Sequence, residues 1–311
     1  MRILLLGGAG FIGKNLALTL ASEEHDVFVF DQFDADYSGL ENKKKIYIVK
    51  GNFIETDIFR DFFKKNHIDV VIHLIASIIS ETDFQNVLIE VQNILIATME
   101  FINLMNEFGL KRIVYFSSGG VVYGKNGNHI NSEADKLMPI NSYGWIKVVI
   151  EKYIQYYSFQ NDFQYLILRP SNPYGQYQNI FGKQGLIAVT LGKIVNNQPV
   201  EIWGDGSVVR DYIYITDLCE ILSKLIQSDK WNEIYNIGSG KGYSVNNIIR
   251  IIEKITGRSF NVIYKDKRSV DIPTNILNIQ KICNDIDICN FEFTEIEEGI
   301  SRLWEFVKIK Y

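Results

Sequence analysis

The chain has little of what metal or disulfide chemistry requires. Its three cysteines, Cys219, Cys283 and Cys289, form no Cys-x-x-Cys pair, and an odd number builds no disulfide framework, so reduced thiols are expected. The four histidines, His25, His67, His73 and His129, are scattered, which leaves no cluster at metal-ligand spacing. His73 lies in an apolar run and reads as a hydrogen-bonded structural residue. Basic residues cluster only at Lys43 to Lys45, and the net charge is −5. This argues against nucleic acid as a main partner, because neutralising phosphates takes many cations on one surface. No run of roughly eighteen apolar residues is available to cross a bilayer. The apolar N-terminal stretch runs into glycines too early for a secretion signal, so a cytoplasmic protein without membrane contact is expected. Five prolines offer no obvious hinge, and neither a repeat nor a low-complexity linker is present.

What the sequence does contain begins at its first residues. Ile3 to Leu6 suits a strand buried on both faces of a parallel sheet, and Gly7, Gly10 and Gly13 follow it directly. Glycines at that spacing allow a tight turn, close approach of backbone to a pyrophosphate, and close helix packing. A helix predicted from Phe11 to Ala21 would offer its free N–H groups and its dipole to the negative charge. A structural turn can use such glycines too, but strand, glycines and helix stand here in the order a dinucleotide site needs. The next strand, Asp26 to Phe30, leads to Asp31, about twenty residues past the glycines, where a carboxylate accepts from ribose hydroxyls. Asp31 would repel a 2′-phosphate, and no arginine stands between it and Lys43, which favours NAD over NADP. The alternative is that Asp31 merely ends a strand.

At 311 residues the chain can hold one large or two modest domains. Apolar runs recur at Ile3 to Leu6, Val27 to Phe30, Ile46 to Val49, Val70 to Leu74, Arg112 to Ser117 and Tyr165 to Arg169, with helical stretches between most of them. That alternation predicts an α/β fold with a doubly wound parallel sheet. After Pro170 the pattern loosens, with a helix from about Gly185 to Asn196 and a turn at Trp203 to Gly206. A strand and helix over Asp211 to Ser228, and a strand over Tyr235 to Ile237, are expected to return to the sheet. The second domain is thus interleaved: 1–174 with 211–238 form one unit, and 175–210 with 239–311 the other.

Ser142-Tyr143-Gly144-Trp145-Ile146-Lys147 opens a long helical pattern, and a four-residue spacing puts Tyr143 and Lys147 on one face. Of seventeen tyrosines only Tyr143 has a lysine four positions on. A phenol with a pKa near 10 is a poor base at neutral pH, but a nearby ammonium and a positive nicotinamide ring favour the phenolate. Tyr143 is therefore the expected proton acceptor. Such a pair arises by chance in a chain rich in both residues, and it gains weight from the glycines and from the strand ending Phe116-Ser117-Ser118.

These residues together resemble the extended short-chain dehydrogenase/reductase family, in the nucleotide-sugar epimerase and dehydratase branch typified by UDP-galactose 4-epimerase. Essentially the whole chain takes part. The resemblance is carried by Gly7 to Gly13, Asp31, His73-Leu74-Ile75-Ala76, Ser117-Ser118-Gly119-Gly120-Val121-Val122-Tyr123-Gly124, Tyr143 with Lys147, and Leu168-Arg169-Pro170-Ser171-Asn172-Pro173-Tyr174-Gly175. It continues through Trp203 to Gly206, Arg210-Asp211-Tyr212, Tyr235-Asn236-Ile237-Gly238 and Arg268-Ser269-Val270-Asp271.

The resemblance implies a Rossmann-type NAD domain and a smaller nucleotide-sugar domain. Contacts to NAD are implied for Gly7, Gly10, Phe11, Ile12, Gly13, Asp31, Asn52, Phe53, Leu74, Ala76, Tyr143, Lys147 and Pro170. Asn52 and Phe53 fall where the family has an aspartate and an apolar residue around the adenine, and an asparagine can still accept from the adenine amino group. Asn172, Arg210 and Arg268 are implied to hold the substrate's diphosphate, guanidinium groups binding phosphate oxygens bidentately, with Ser118, Gly119 and Asp271 also at the substrate. Apart from the resemblance, Arg210 and Arg268 read as surface ion-pair partners of Asp211 and Asp271. The family's catalytic Ser or Thr falls on Gly119, which has no hydroxyl, and the next replacement position is Val121. Ser118, or a water held by the Gly119 and Gly120 backbone, is left to orient the sugar hydroxyl.

The chemistry implied is removal of the proton of a sugar C4 hydroxyl by Tyr143 while hydride passes to the nicotinamide. If the 4-keto sugar turns and takes hydride back on its other face, the net result is 4-epimerisation. If it leaves, the enzyme is a net 4-dehydrogenase of a nucleotide sugar such as GDP-manno-heptose. Dehydration is disfavoured, since 4,6-dehydratases pair an aspartate and a glutamate at the positions of Gly120 and Val121 to expel the C6 hydroxyl. Similarity along the chain favours an epimerase of surface-polysaccharide synthesis. A non-catalytic NAD-binding sensor is opposed by the retention of Tyr143 and Lys147. Relatives commonly dimerise through the Tyr143 helix and the one before it, about Asn93 to Phe108, so a homodimer is implied.

Overall fold

A computed structural model describes residues 1–76, 84–127, 129–266 and 272–310. The chain begins β1 (Arg2–Leu6), α1 (Phe11–Ser22), β2 (Asp26–Asp31), β3 (Ile46–Lys50), α2 (Thr56–Lys65) and β4 (Val70–His73). Next come α3 (Phe84–Glu90), a π turn (Val91–Ile96), α4 (Ala97–Glu107), β5 (Arg112–Phe116), β6 (Ile130–Asn131) and α5 (Ser142–Gln160). There follow β7 (Gln164–Pro170), β8 (Asn172–Tyr174), α6 (Leu186–Val195), β9 (Val200–Trp203), β10 (Val209–Tyr214), α7 (Ile215–Gln227) and β11 (Glu233–Ile237). The last elements are β12 (Gly242–Ser244), α8 (Val245–Thr256), β13 (Val262–Lys265), β14 (Thr274–Leu277), α9 (Gln280–Asp285) and α10 (Ile296–Lys310).

Seven strands form the main sheet in the order β11-β7-β5-β4-β1-β2-β3, each parallel to its neighbours. The inner strands are apolar at successive positions because helices cover both faces. Ile3, Leu5, Val27 and Val29 pack on one side with Leu16, Leu20, Leu218 and Leu222, while Leu4, Leu6, Phe28 and Phe30 pack on the other with Phe59, Phe101, Ile146 and Ile150. Each such side chain contributes about 1.5–3 kcal/mol by leaving water. The chain reverses its direction of travel across the sheet between β1 and β4. In open α/β sheets ligands bind at that switch point, outside the carboxyl ends of the strands.

Two expectations are corrected. The strand beginning at Val209 does not return to the main sheet: β10 pairs with β8, β12 and β14 instead, while its Ile213, α7 and β11 pack with the larger unit. Its apolar run looks like a core strand because a second core buries it, Tyr212 and Tyr214 packing with Tyr174, Ile187, Ile248 and Trp304. A helix long and apolar enough to cross a membrane is also present, over Phe84–Glu107. It lies along the sheet, and Phe101, Ile102, Leu104 and Met105 are core residues. Arg268 and Asp271 lie outside the described residues.

Arg169, at the end of β7, ties the layers together. It is 2% exposed and donates from Nε to Glu151 Oε1 at 3.1 Å and from Nη2 to Glu151 Oε2 at 2.6 Å. Ser117 Oγ donates to the same carboxylate. From Arg169 the network passes to Tyr123 Oη at 3.1 Å and on to Asn236 Oδ1 at 2.6 Å, joining α5, β5, β7 and β11. Removing one partner of a buried pair leaves the other charge uncompensated, so Arg169→Met is expected to cost about 3–5 kcal/mol. Adding Glu151→Leu should recover most of that loss, and urea unfolding midpoints of the two variants check it.

Candidate active site

The turn after β1 has the shape an anion needs. Gly7 adopts φ +77°, and a Cβ on Gly13 would stand 2.5 Å from Gly8 Cα and 2.7 Å from the Gly7 carbonyl oxygen. Only glycine lets the backbone close there. Gly10 begins α1 with no side-chain cap and no acidic residue in the first turn, so the first N–H groups stay available to a diphosphate. Asp31 ends β2 and reaches back to the turn, accepting from Ala9 N at 3.0 Å and Gln32 N at 2.9 Å.

A cleft of about 570 Å³ opens from this turn. Its lining brings the glycine turn and helix start, Gly7, Gly10, Phe11, Ile12 and Gly13, with Leu74 and Ala76 after β4, together with Ser118, Gly120, Val121, Asn141, Tyr143, Ser171, Asn172 and Gln184. The residues present therefore fit a dinucleotide on the glycine side and a second ligand opposite. Asn52 begins the turn into α2, its Oδ1 3.4 Å from Ile54 N. Phe53 is turned into the core, its ring 5.2 Å from that of His73 and 5.6 Å from that of Phe101. His73 is fully buried, its Nε2 3.0 Å from Thr98 Oγ1, and burial holds it neutral with a pKa of about 3.

Asn141 caps α5, its Oδ1 accepting from Gly144 N at 2.8 Å, and so fixes the helix that carries Tyr143 and Lys147. Lys147 is buried and donates from Nζ to the Phe116 carbonyl at 2.7 Å. Its Nζ lies 4.8 Å from the Tyr115 ring centroid and 5.7 Å from that of Tyr143. The tyrosine and lysine expected on one helix face stand together, and burial acts on both. Burial pushes Tyr143 up to about 12 and Lys147 down to about 7, because each charged form loses its water. Glu151, one turn on, raises the lysine but does not outweigh its burial.

Gly119 is corrected too. It does not line the cleft: a Cβ there would stand 2.6 Å from Leu277 Cδ1 and 3.0 Å from the Arg169 carbonyl oxygen. Its N–H donates to the Pro170 carbonyl at 2.8 Å, and its own carbonyl accepts from Asn275 Nδ2 at 3.0 Å. A hydroxyl at position 119 would point into packed side chains. Ser118 faces the cleft instead. At Gly120 a Cβ would lie 3.6 Å from Ser118 Oγ and 3.9 Å from Asn172 Oδ1, so the missing side chain leaves a gap between those groups.

Asn172 lines both this cleft and a smaller pocket of about 230 Å³ shared with Tyr174, Leu186, Arg210 and Tyr212. Arg210 Nη1 donates to the carbonyls of Val209 at 2.8 Å and Ile272 at 2.7 Å. Asp211 is buried and accepts from Ser239, Gly240 and Leu277, and burial raises its pKa to about 6. Its backbone carbonyl accepts from Asn172 Nδ2 at 2.7 Å. Gly120 and Val121 line the cleft as the sequence placed them, whereas Asn141, Ser171 and Gln184 are cleft residues that sequence reasoning does not single out. Asn141 could have been found as an Asn before a helical pattern, whereas Gln184 carries no sequence signal.

Gly13→Ala should overpack the turn by about 1–3 kcal/mol, which lowers NAD affinity roughly ten- to hundredfold; NADH fluorescence titration reads it. Lys147 also makes stability depend on pH. The unfolded chain keeps this ammonium up to the usual 10.5 and the folded chain only to about 7. The residue therefore penalises the fold fully below pH 7, and the penalty fades as pH rises through that window. Lys147→Met should stabilise the protein relative to the parent most at about pH 6 and least at about pH 10, measured by urea midpoints. A gain of the same size at both pH values would remove burial as its cause.

Known proteins resemble the chain along its full length. Residues 3–238 match the family described as the NAD dependent epimerase/dehydratase family. A Methanocaldococcus jannaschii protein provisionally named a UDP-glucose 4-epimerase is 32% identical, with 98% of each chain covered. The dTDP-4-dehydro-6-deoxyglucose reductase of Escherichia coli is 30% identical over 99% of this chain and 98% of its own. Among solved structures, the UDP-glucose 4-epimerase of Thermotoga maritima with UDP-glucose superposes with a TM-score of 0.91 at 26% identity, covering 100% of this chain and 99% of that one. The chain belongs to the NAD dependent epimerase/dehydratase family, and is an NAD-dependent enzyme of the extended short-chain dehydrogenase/reductase type.

Proposed function

We propose that the enzyme is a nucleotide-sugar 4-epimerase. The observation that carries this reading is that Tyr143, Ser118 and Asn172 face the glycine turn across one cleft. NAD, when bound, supplies a reversible two-electron acceptor. Tyr143 takes the proton of the C4 hydroxyl and returns it, and Lys147 holds the charge balance beside it. Ser118 orients that hydroxyl by a hydrogen bond, while Asn172 and Arg210 hold the diphosphate at the junction of the two pockets. The Thermotoga maritima relative was solved with UDP-glucose, which supports a UDP-hexose as the first substrate to try.

A second reading runs the same C4 chemistry in one direction only, as a net dehydrogenase or a 4-keto reductase. The Escherichia coli reductase among the relatives favours it. The lack of a hydroxyl at Gly119 no longer does, since that position faces Leu277. Dehydration lacks its acids, Gly120 and Val121 being the cleft residues at those positions. Synthesis of surface polysaccharide in the cytoplasm is the setting we infer. The homodimer is assigned to the face where Ile96, Trp145 and Tyr156 are exposed, and light scattering of the purified protein tests it.

Incubation with UDP- and GDP-hexoses and GDP-heptose, without added cofactor, tests the reaction by NMR of anomeric protons and absorbance of NADH in the same samples. A C4 epimer formed over many turnovers, and lost in Tyr143→Phe, is the expected result. Stoichiometric NADH without an epimer would replace the epimerase by the dehydrogenase. Consumption of added NADH with a 4-keto nucleotide sugar, by a protein that leaves the hexoses of the panel unchanged, would replace it by the reductase.

A further inference from the structure

Ser171 is the single residue between β7 and β8. Its N–H donates to the Ile237 carbonyl at 2.8 Å, which fixes its backbone at the edge of the cleft. The residue is 7% exposed, and its Oγ is buried with no hydrogen-bond partner among the described residues. Folded proteins rarely leave a buried hydroxyl unpaired, because it loses water and gains nothing in return. Ser171 nonetheless lines the cleft with Ser118, Tyr143 and Asn172. Rotation about χ1 between staggered wells exchanges the oxygen with the hydrogens on the same carbon, so a ligand oxygen in the cleft can supply the missing partner.

The surroundings say which part of a ligand that is. The bond from Gly119 N to the Pro170 carbonyl, 2.8 Å long, sets the Ser117-to-Gly120 loop against the end of β7. The gap above Gly120 is bordered by Ser118 Oγ and Asn172 Oδ1, and Ser171 immediately precedes Asn172. A hexose that enters the gap beside Tyr143 meets one hydroxyl from each loop. We infer that Ser171 hydrogen-bonds the bound sugar and, with Ser118, forms a pair of hydroxyls that recognises the reacting hexose. This rests on the reading of the cleft as a nucleotide-sugar site.

The test compares Ser171→Ala and Ser171→Cys with the parent on the same UDP- and GDP-sugar panel, with thermal unfolding of each protein measured without sugar. Deleting an unpaired buried hydroxyl should leave the unfolding temperature unchanged or higher, while kcat/KM falls about tenfold or more for both variants. Cysteine keeps the shape but donates poorly, so an unimpaired Ser171→Cys would overturn the inference. Ser171→Ala turning over like the parent would overturn it as well and leave the epimerase reading standing. Loss of stability in parallel with rate would make Ser171 a packing residue only. Should the parent neither convert nor, by calorimetry, bind any sugar of the panel, the functional reading falls and this inference falls with it.

Discussion

The pair that Arg169 and Glu151 make inside the protein sets where the reacting groups stand. Glu151 follows Lys147 by one turn of α5, and Arg169 is the last residue but one of the strand that leads to Ser171 and Asn172. Two charges in a low-dielectric interior hold each other only in good geometry, and here two nitrogens meet two carboxylate oxygens. Tyr123 and Asn236 of β11 continue the network, and Asn236 Nδ2 donates to the Asn131 carbonyl on β6 of the second sheet. The helix that carries Tyr143 and the strand that leads to Asn172 are thereby held in one register.

Within that frame the cleft works against its own charges. Burial drives Tyr143 and Lys147 toward their neutral forms, so the phenolate is not a resting feature of the protein. A base that is costly to ionise in the empty site becomes useful only when positive charge arrives next to it.

The parts of the site legible in the sequence are those set by local geometry. Gly7, Gly10 and Gly13 announce a turn because backbone shape there depends on neighbours a few residues away, and Tyr143 with Lys147 declare themselves by helix periodicity. Sequence reasoning failed where distant residues decide. Gly119 stood where a hydroxyl was wanted, yet its direction is set by Leu277 on β14. The run from Val209 was apolar enough for the main sheet, but its core comes from α6, α8 and α10. Ser171 lies inside the Leu168-to-Gly175 motif without a signal of its own, because an unpaired hydroxyl is visible only once its surroundings are known.

The passage from β7 to β8 through Ser171 alone has a mechanical consequence. Domains that close over a ligand turn about a few hinge residues that absorb large backbone changes. Here the strand belonging to one sheet and the strand belonging to the other are welded by one peptide link on each side of a serine whose own N–H is bonded to Ile237. Such a short coupling has little slack to give. Any swing of the smaller unit therefore pivots at the cleft itself and is felt first by the residues that line it.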